Sequence, residues 1–189
     1  MEKFGVMCLE GEWGKTLSDK MTVLPYLQLL EAINSNFIFI HRRMATEPEF
    51  DFFIKEWTLK KYKDYKVLYI STHGFRSGIN ISRDVDVTLE KLGEKLGERA
   101  AGRYVHLGGC SILKSNEDEL KEFVKQTKVK GLMGYSKDIA WTDSAAFEIL
   151  LFEALRWYDQ GRNAAGYCKR HIEKEYSNLV SKLGFKFII

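Results

Sequence analysis

Six short apolar runs separated by longer segments with three-to-four-residue apolar spacing predict an α/β fold: a three-layer α/β/α sandwich around a mostly parallel sheet of about six strands. Most of these runs are apolar or β-rich throughout instead of alternating, as strands covered on both faces are. Each stops at a polar or glycine-rich turn. With 189 residues, 45% of them hydrophobic and 13% aromatic, the chain can fill one substantial core, so residues 1–189 read as a single domain.

The predicted strands are Phe4 to Leu9, Phe37 to Ile40, Val67 to Ser71, Tyr104 to Leu107 and Gly131 to Tyr135, with Phe185 to Ile189 as a sixth. Helical spacing covers Thr22 to Ile33, Glu49 to Tyr62, Thr88 to Arg99 and Ser115 to Lys125, where Ser115 and Asp118 resemble a capping pair. Thr142 to Tyr158 is apolar almost all round, which predicts a deeply packed helix capped by Thr142 or Asp143. Arg162 to Leu179 reads as one further helix. Ser77 to Val87, turning around Arg83 and Asp84, reads as a small hairpin standing off the sheet and walling a cleft.

Charge narrows the function. Lys and Arg number 29 against 26 acids, and the excess of +3 is spread through mixed runs such as Glu90-Lys91 and Glu94-Lys95, a solvated-face pattern. No one-signed basic stripe with interleaved aromatics is present, so direct nucleic-acid binding is not expected. The apolar start of the chain meets Glu10 and Glu12 too soon for a signal peptide, and no run reaches membrane-spanning length. Three cysteines with no paired spacing (Cys8, Cys110, Cys168) favour a reducing compartment, with the cytoplasm as the expected location.

In an open parallel sheet the carboxyl ends of the strands share one edge, and ligands bind there. Two strand ends carry reactive side chains: Val67-Leu68-Tyr69-Ile70-Ser71-Thr72-His73-Gly74 and Tyr104-Val105-His106-Leu107-Gly108-Gly109-Cys110-Ser111. If these strands are neighbours, His73 and Cys110 face one another. A cysteine attacks a carbonyl as thiolate, and one imidazole can take its proton and then protonate the leaving amine. Adjacent glycines permit close backbone approach, and the amides of Gly74 and Cys110 are candidates for an oxyanion hole. Taken singly, His73 is an ordinary turn histidine and Cys110 a small buried residue; together, at consecutive strand ends, they point to a pair.

These two strand ends, together with Gly134-Tyr135-Ser136 and Trp141-Thr142-Asp143-Ser144-Ala145-Ala146-Phe147, resemble the clan CD cysteine peptidases, which include caspases, gingipains, separases and CHAT-domain proteases. The similarity is greatest to the CHAT and separase branch and spans roughly Phe4 to Leu155. It implies a caspase-like sheet and a thiol protease, a hydrolase of peptide bonds that needs no cofactor and no metal. His73 and Cys110 would form the dyad, and Gly74 with the Cys110 amide the oxyanion hole. It also places Asp143 at the residue preceding the scissile bond, where a carboxylate would favour Arg or Lys. Glu10, Glu12 and Asp138, at other strand ends nearby, join it as substrate-binding candidates. Gly108-Gly109-Cys110-Ser111 departs from the Gln-Ala-Cys of caspases proper, which speaks against aspartate specificity. The helix expected between Ser115 and Lys130 leaves no long cleavable linker for caspase-style maturation.

The expected partners are a protein or peptide substrate, a regulatory protein and a second copy of the chain, the last through the alternating Phe185, Phe187 and Ile189 at a sheet edge. The competing reading is a catalytically idle caspase-like scaffold. A flavodoxin-like or Toll/interleukin-receptor-like module would share the alternation but place its ligand elsewhere. A zinc site from His106, Cys110, Cys168 and His171 lacks a second Cys-x-x-Cys, and His41 with Arg42 and Arg43 reads as a surface charge cluster.

Overall fold

The computed structural model describes residues 2–14, 16, 18–82, 85–161 and 163–189. β1 (Phe4–Glu10) is buried at every position, and α1 (Leu24–Ile33) follows it. β2 (Phe37–Arg43), α2 (Glu47–Trp57) and β3 (Val67–Ser71) come next, and both of these strands run parallel to β1. A small antiparallel sheet then stands apart: β4 (Gly74–Phe75), β5 (Gly78–Ser82) and β6 (Val85–Thr88). After α3 (Leu89–Leu96), β7 (Tyr104–Leu107) re-enters the main sheet beside β3. α4 (Glu117–Thr127), β8 (Gly131–Tyr135) and α5 (Trp141–Tyr158) continue the parallel pattern. α6 (Ala164–Glu175) and α7 (Ser177–Leu183) lead into β9 (Phe185–Ile188), which closes the sheet antiparallel to β8. The strand order is β2-β1-β3-β7-β8-β9.

The sheet is covered on both faces because alternate residues of each buried strand point opposite ways. Cys8 and Tyr69 pair in register and join a core with α1, α5 and α6. Their neighbours Met7 and Leu68 face a second core with α2, α3 and α4. The result is the expected α/β/α sandwich with a six-stranded, mostly parallel sheet.

Local detail departs from the expectation where tertiary contacts intervene. α1 starts two residues later than Thr22, because the Thr22 hydroxyl and the Val23 N–H both donate to the Glu10 carboxylate and hold that stretch outside the helix. α4 is capped by Asn116, whose side chain accepts from Asp118 N, while the Ser115 hydroxyl turns to Ser77. Neither Thr142 nor Asp143 caps α5; Ala140 holds that position. α5 is not apolar on every side, since Trp157 is 71% exposed while Glu148 lies buried at 2%. The segment read as one helix from Arg162 divides at Tyr176 into α6 and α7, and its start at Arg162 lies outside the described residues. The hairpin from Ser77 gains a third short strand in β4, and its turn at Arg83 and Asp84 also lies outside the described residues. Among the described residues, no helix is long and apolar enough to cross a membrane.

Candidate active site

β3 and β7 are hydrogen-bonded neighbours, with Ile70 opposite Leu107, so His73 and Cys110 leave the same edge of the sheet from adjacent strands. The Gly108 N–H donates to the Ile70 carbonyl at 2.9 Å and carries the pairing past the end of β7. Beyond it the two loops touch backbone to backbone. A Cβ on Gly109 would run into the Thr72 carbonyl and come within 3.0 Å of Gly74 N, and a Cβ on Gly74 would meet the Cys110 carbonyl at 2.5 Å. The glycines that flank His73 and Cys110 thus permit the approach of the two loops.

The His73 ring is held from one side. Its Nε2 lies 2.7 Å from the carbonyl oxygen of Trp13, which can only accept, so Nε2 carries a hydrogen and Nδ1 is the nitrogen left available for a second partner. The Trp13 indole packs edge-on against the imidazole at 5.3 Å between centroids. Trp13 is anchored in turn by its Nε1, which donates to Glu10 at 2.8 Å. Glu10 also accepts from Thr22 and Val23 and lies 2.6 Å from His41 Nε2. Burial raises the Glu10 carboxyl pKa, but the hydrogen bonds from His41, Thr22, Trp13 and Val23 outweigh burial and leave it below its ordinary value. His41 is therefore tied inward to Glu10.

Cys110 is half-buried, and its sulfur accepts from the Ile139 N–H at 3.5 Å. Among the described residues its own N–H has no acceptor. The next residue, Ser111, sits at φ 56°, a left-handed conformation unusual for a residue with a side chain. Two bonds hold it there: Ser111 N–H to the Lys137 carbonyl at 2.9 Å and Ser111 Oγ to Asp138 at 2.8 Å. The loop that carries Cys110 is thereby pinned to the segment between β8 and α5.

His73 and Cys110 both line a cavity of about 190 Å³, with Trp13, Met21, Ile139 and Trp141 among its apolar walls. Its polar lining includes Tyr26, Tyr69, Ser71 and Glu148. Tyr26 and Tyr69 donate to one oxygen of Glu148 at 2.5 and 2.6 Å, and Tyr135 donates to the other at 3.1 Å. His106 Nε2 is 2.9 Å from that second oxygen, and its buried Nδ1 has no partner among the described residues. Burial first, then the Glu148 charge, push all three phenols well above their ordinary pKa, so they remain neutral hydroxyl donors.

The other anticipated substrate contacts lie off this cavity. Glu10 is fully buried and holds Trp13, Asp138 holds Ser111, and Asp143 pairs with Lys182 at 2.6 Å. Glu12, half-buried, is not among the lining residues. Cys168 lies in the core and His171 packs against Tyr158 and Tyr176, and among the described residues no group of three or more His, Cys, Asp or Glu side chains is placed to hold a metal ion.

A model of the family of unknown function DUF6642 matches residues 3–188. The chain belongs to the DUF6642 family. No curated protein matches its sequence. Among solved structures it is similar to caspase-1 from Spodoptera frugiperda, with a TM-score of 0.54 and 10% identity over 92% of this chain and 78% of that one. It is likewise similar to pro-sf-caspase-1, with a TM-score of 0.53 and 10% identity over 93% and 83%. At that identity the likeness defines the fold, and this DUF6642 chain has a caspase-like one.

Glu148 and the phenols around it are not among the residues that the sequence motifs mark. The signal was present in α5: Glu148 stands one turn from Ser144 and from Leu151 and Phe152, all on the buried face. An acid on such a face needs donors, and Tyr69, His106 and Tyr135 from three adjacent strands supply them.

Proposed function

We propose that the chain is a cysteine endopeptidase in which Cys110 is the nucleophile and His73 the acid–base group. The observation that carries this reading is that both residues leave adjacent parallel strands and line one cavity. His73 Nδ1 takes the Cys110 thiol proton, and the sulfur adds to the peptide carbonyl carbon. The N–H groups of Gly74 and Cys110 are assigned to the resulting oxyanion. Collapse breaks the C–N bond, the imidazolium returns its proton to the leaving amine, and water then cleaves the thioester with His73 as base. The Trp13 carbonyl orients the ring throughout, and the Ile139 N–H supports charge on sulfur. On the CHAT resemblance, the proposal extends to a regulated effector of a bacterial defence or signalling system. The free thiols of Cys8, Cys110 and Cys168 favour the cytoplasm.

Burial pushes the Cys8 thiol well up and the Cys168 thiol to about 12, so both remain protonated and unreactive in the folded protein. Alkylation by a chloroacetamide probe near neutrality should therefore map to Cys110 alone. His73→Ala is expected to slow that labelling by about tenfold or more through loss of the base. Equal labelling rates in the two proteins would contradict the pairing.

A further inference from the structure

We infer that the cavity beside Cys110 is a specificity pocket for a lysine or arginine side chain of a bound peptide, with Glu148 as the residue that recognises the positive charge. This inference deepens the endopeptidase proposal and rests on it for the fate of the peptide, though not for its binding.

Trp13 and Trp141 meet edge to face at 4.8 Å between ring centroids, and with Met21 and Ile139 they give the cavity an apolar, aromatic wall. The lining changes to Tyr26, Tyr69, Ser71 and Glu148 elsewhere in the same cavity. Lysine and arginine are the side chains that combine a long apolar stem with a cationic tip, and aromatic faces favour both parts. Gly108 keeps the route open: a Cβ there would press on the Tyr69 ring and lie 3.1 Å from Glu148 Oε1. The carboxylate therefore sits against the loop that carries Cys110.

Electrostatics select the cation. Among the described residues, three of the groups bonded to Glu148 are neutral phenols and the fourth is the ring Nε2 of His106, whose buried Nδ1 has no partner. Among the described residues, no lysine or arginine lines the cavity. A buried carboxylate facing a cavity without a full cationic partner is stabilised by an entering ammonium or guanidinium. An entering carboxylate would meet like charge and no guanidinium, which excludes aspartate. Asp143, the acid expected from the sequence resemblance, is already paired with Lys182.

The test separates recognition from catalysis. Binding of two short acetylated peptide amides, identical except for lysine or norleucine at one position, is measured by calorimetry on the Cys110→Ala protein. The lysine peptide is expected to bind about tenfold more tightly or better, and Glu148→Gln to remove that preference. Equal binding of the two peptides, or a preference that survives Glu148→Gln, overturns the inference. Glu148→Gln removes a buried charge and can fail to fold, so Met21→Lys provides a second variant. Met21 is 44% exposed on the cavity wall, and a cation there should weaken the lysine peptide while sparing the norleucine peptide. Parallel losses for both peptides, or none for the lysine peptide, also overturn it. A lysine preference without cleavage by the intact Cys110 protein would leave the pocket standing and remove the peptidase reading. Cleavage indifferent to lysine would do the reverse.

Discussion

Glu10 links stability to the site. Its buried carboxylate gathers Thr22, Val23, His41 and the Trp13 indole, and the Trp13 backbone then holds His73. Because its folded pKa lies below the ordinary 4.5, it contributes stability above that value. That contribution disappears as pH falls through the folded pKa. Glu10→Gln is therefore expected to cost about 2 kcal/mol in urea denaturation near neutrality. The deficit should shrink as pH drops below the ordinary carboxyl value, and a deficit independent of pH would contradict this account. At this scale the sequence was only partly legible. His73 and Cys110 stand out because a glycine adjoins each at a strand end, whereas Glu10 reads as a substrate contact because two of its partners, Thr22 and His41, lie 12 and 31 residues away along the chain.

The strands β3 and β7 bring the candidate residues together, and the contact between their outgoing loops is set by glycine. Gly109 lies against the backbone of Thr72 and Gly74, atoms that cannot step aside as a flexible side-chain tip can. Gly109→Ala should force the two loops apart, costing roughly 2 kcal/mol in thermal or urea unfolding and reducing Cys110 labelling. Unchanged stability together with unchanged labelling would show that the loops do not pack as described. The ends of these strands were readable because mainly apolar and aromatic runs give way to Thr72-His73-Gly74 after β3 and to Gly108-Gly109 after β7. The division between α6 and α7 was not, since the residues around Tyr176 contain neither glycine nor proline to mark it. The start of α1 was displaced by a tertiary carboxylate that no local pattern contains.

Over the whole molecule, a mostly parallel sheet with helices on both faces presents one edge of strand ends, and the candidate site occupies it. The caspase-like fold was foreshadowed by alternation of elements and by the motifs after β3 and β7. The packing of Phe185 and Phe187 into the chain's own core was less evident, because an alternating apolar strand looks the same whether it covers a neighbouring helix or a second copy. Residues 117–127 between β7 and β8 form α4, so activity is expected from an uncut chain. The most direct test is N-terminal peptide mass spectrometry on cells expressing the protein beside its Cys110→Ala variant, with any activator supplied. New termini that depend on Cys110 are expected, preceded mainly by lysine or arginine, while the chain itself stays intact between residues 110 and 131. Matching sets of termini in the two samples would contradict the proposed peptidase.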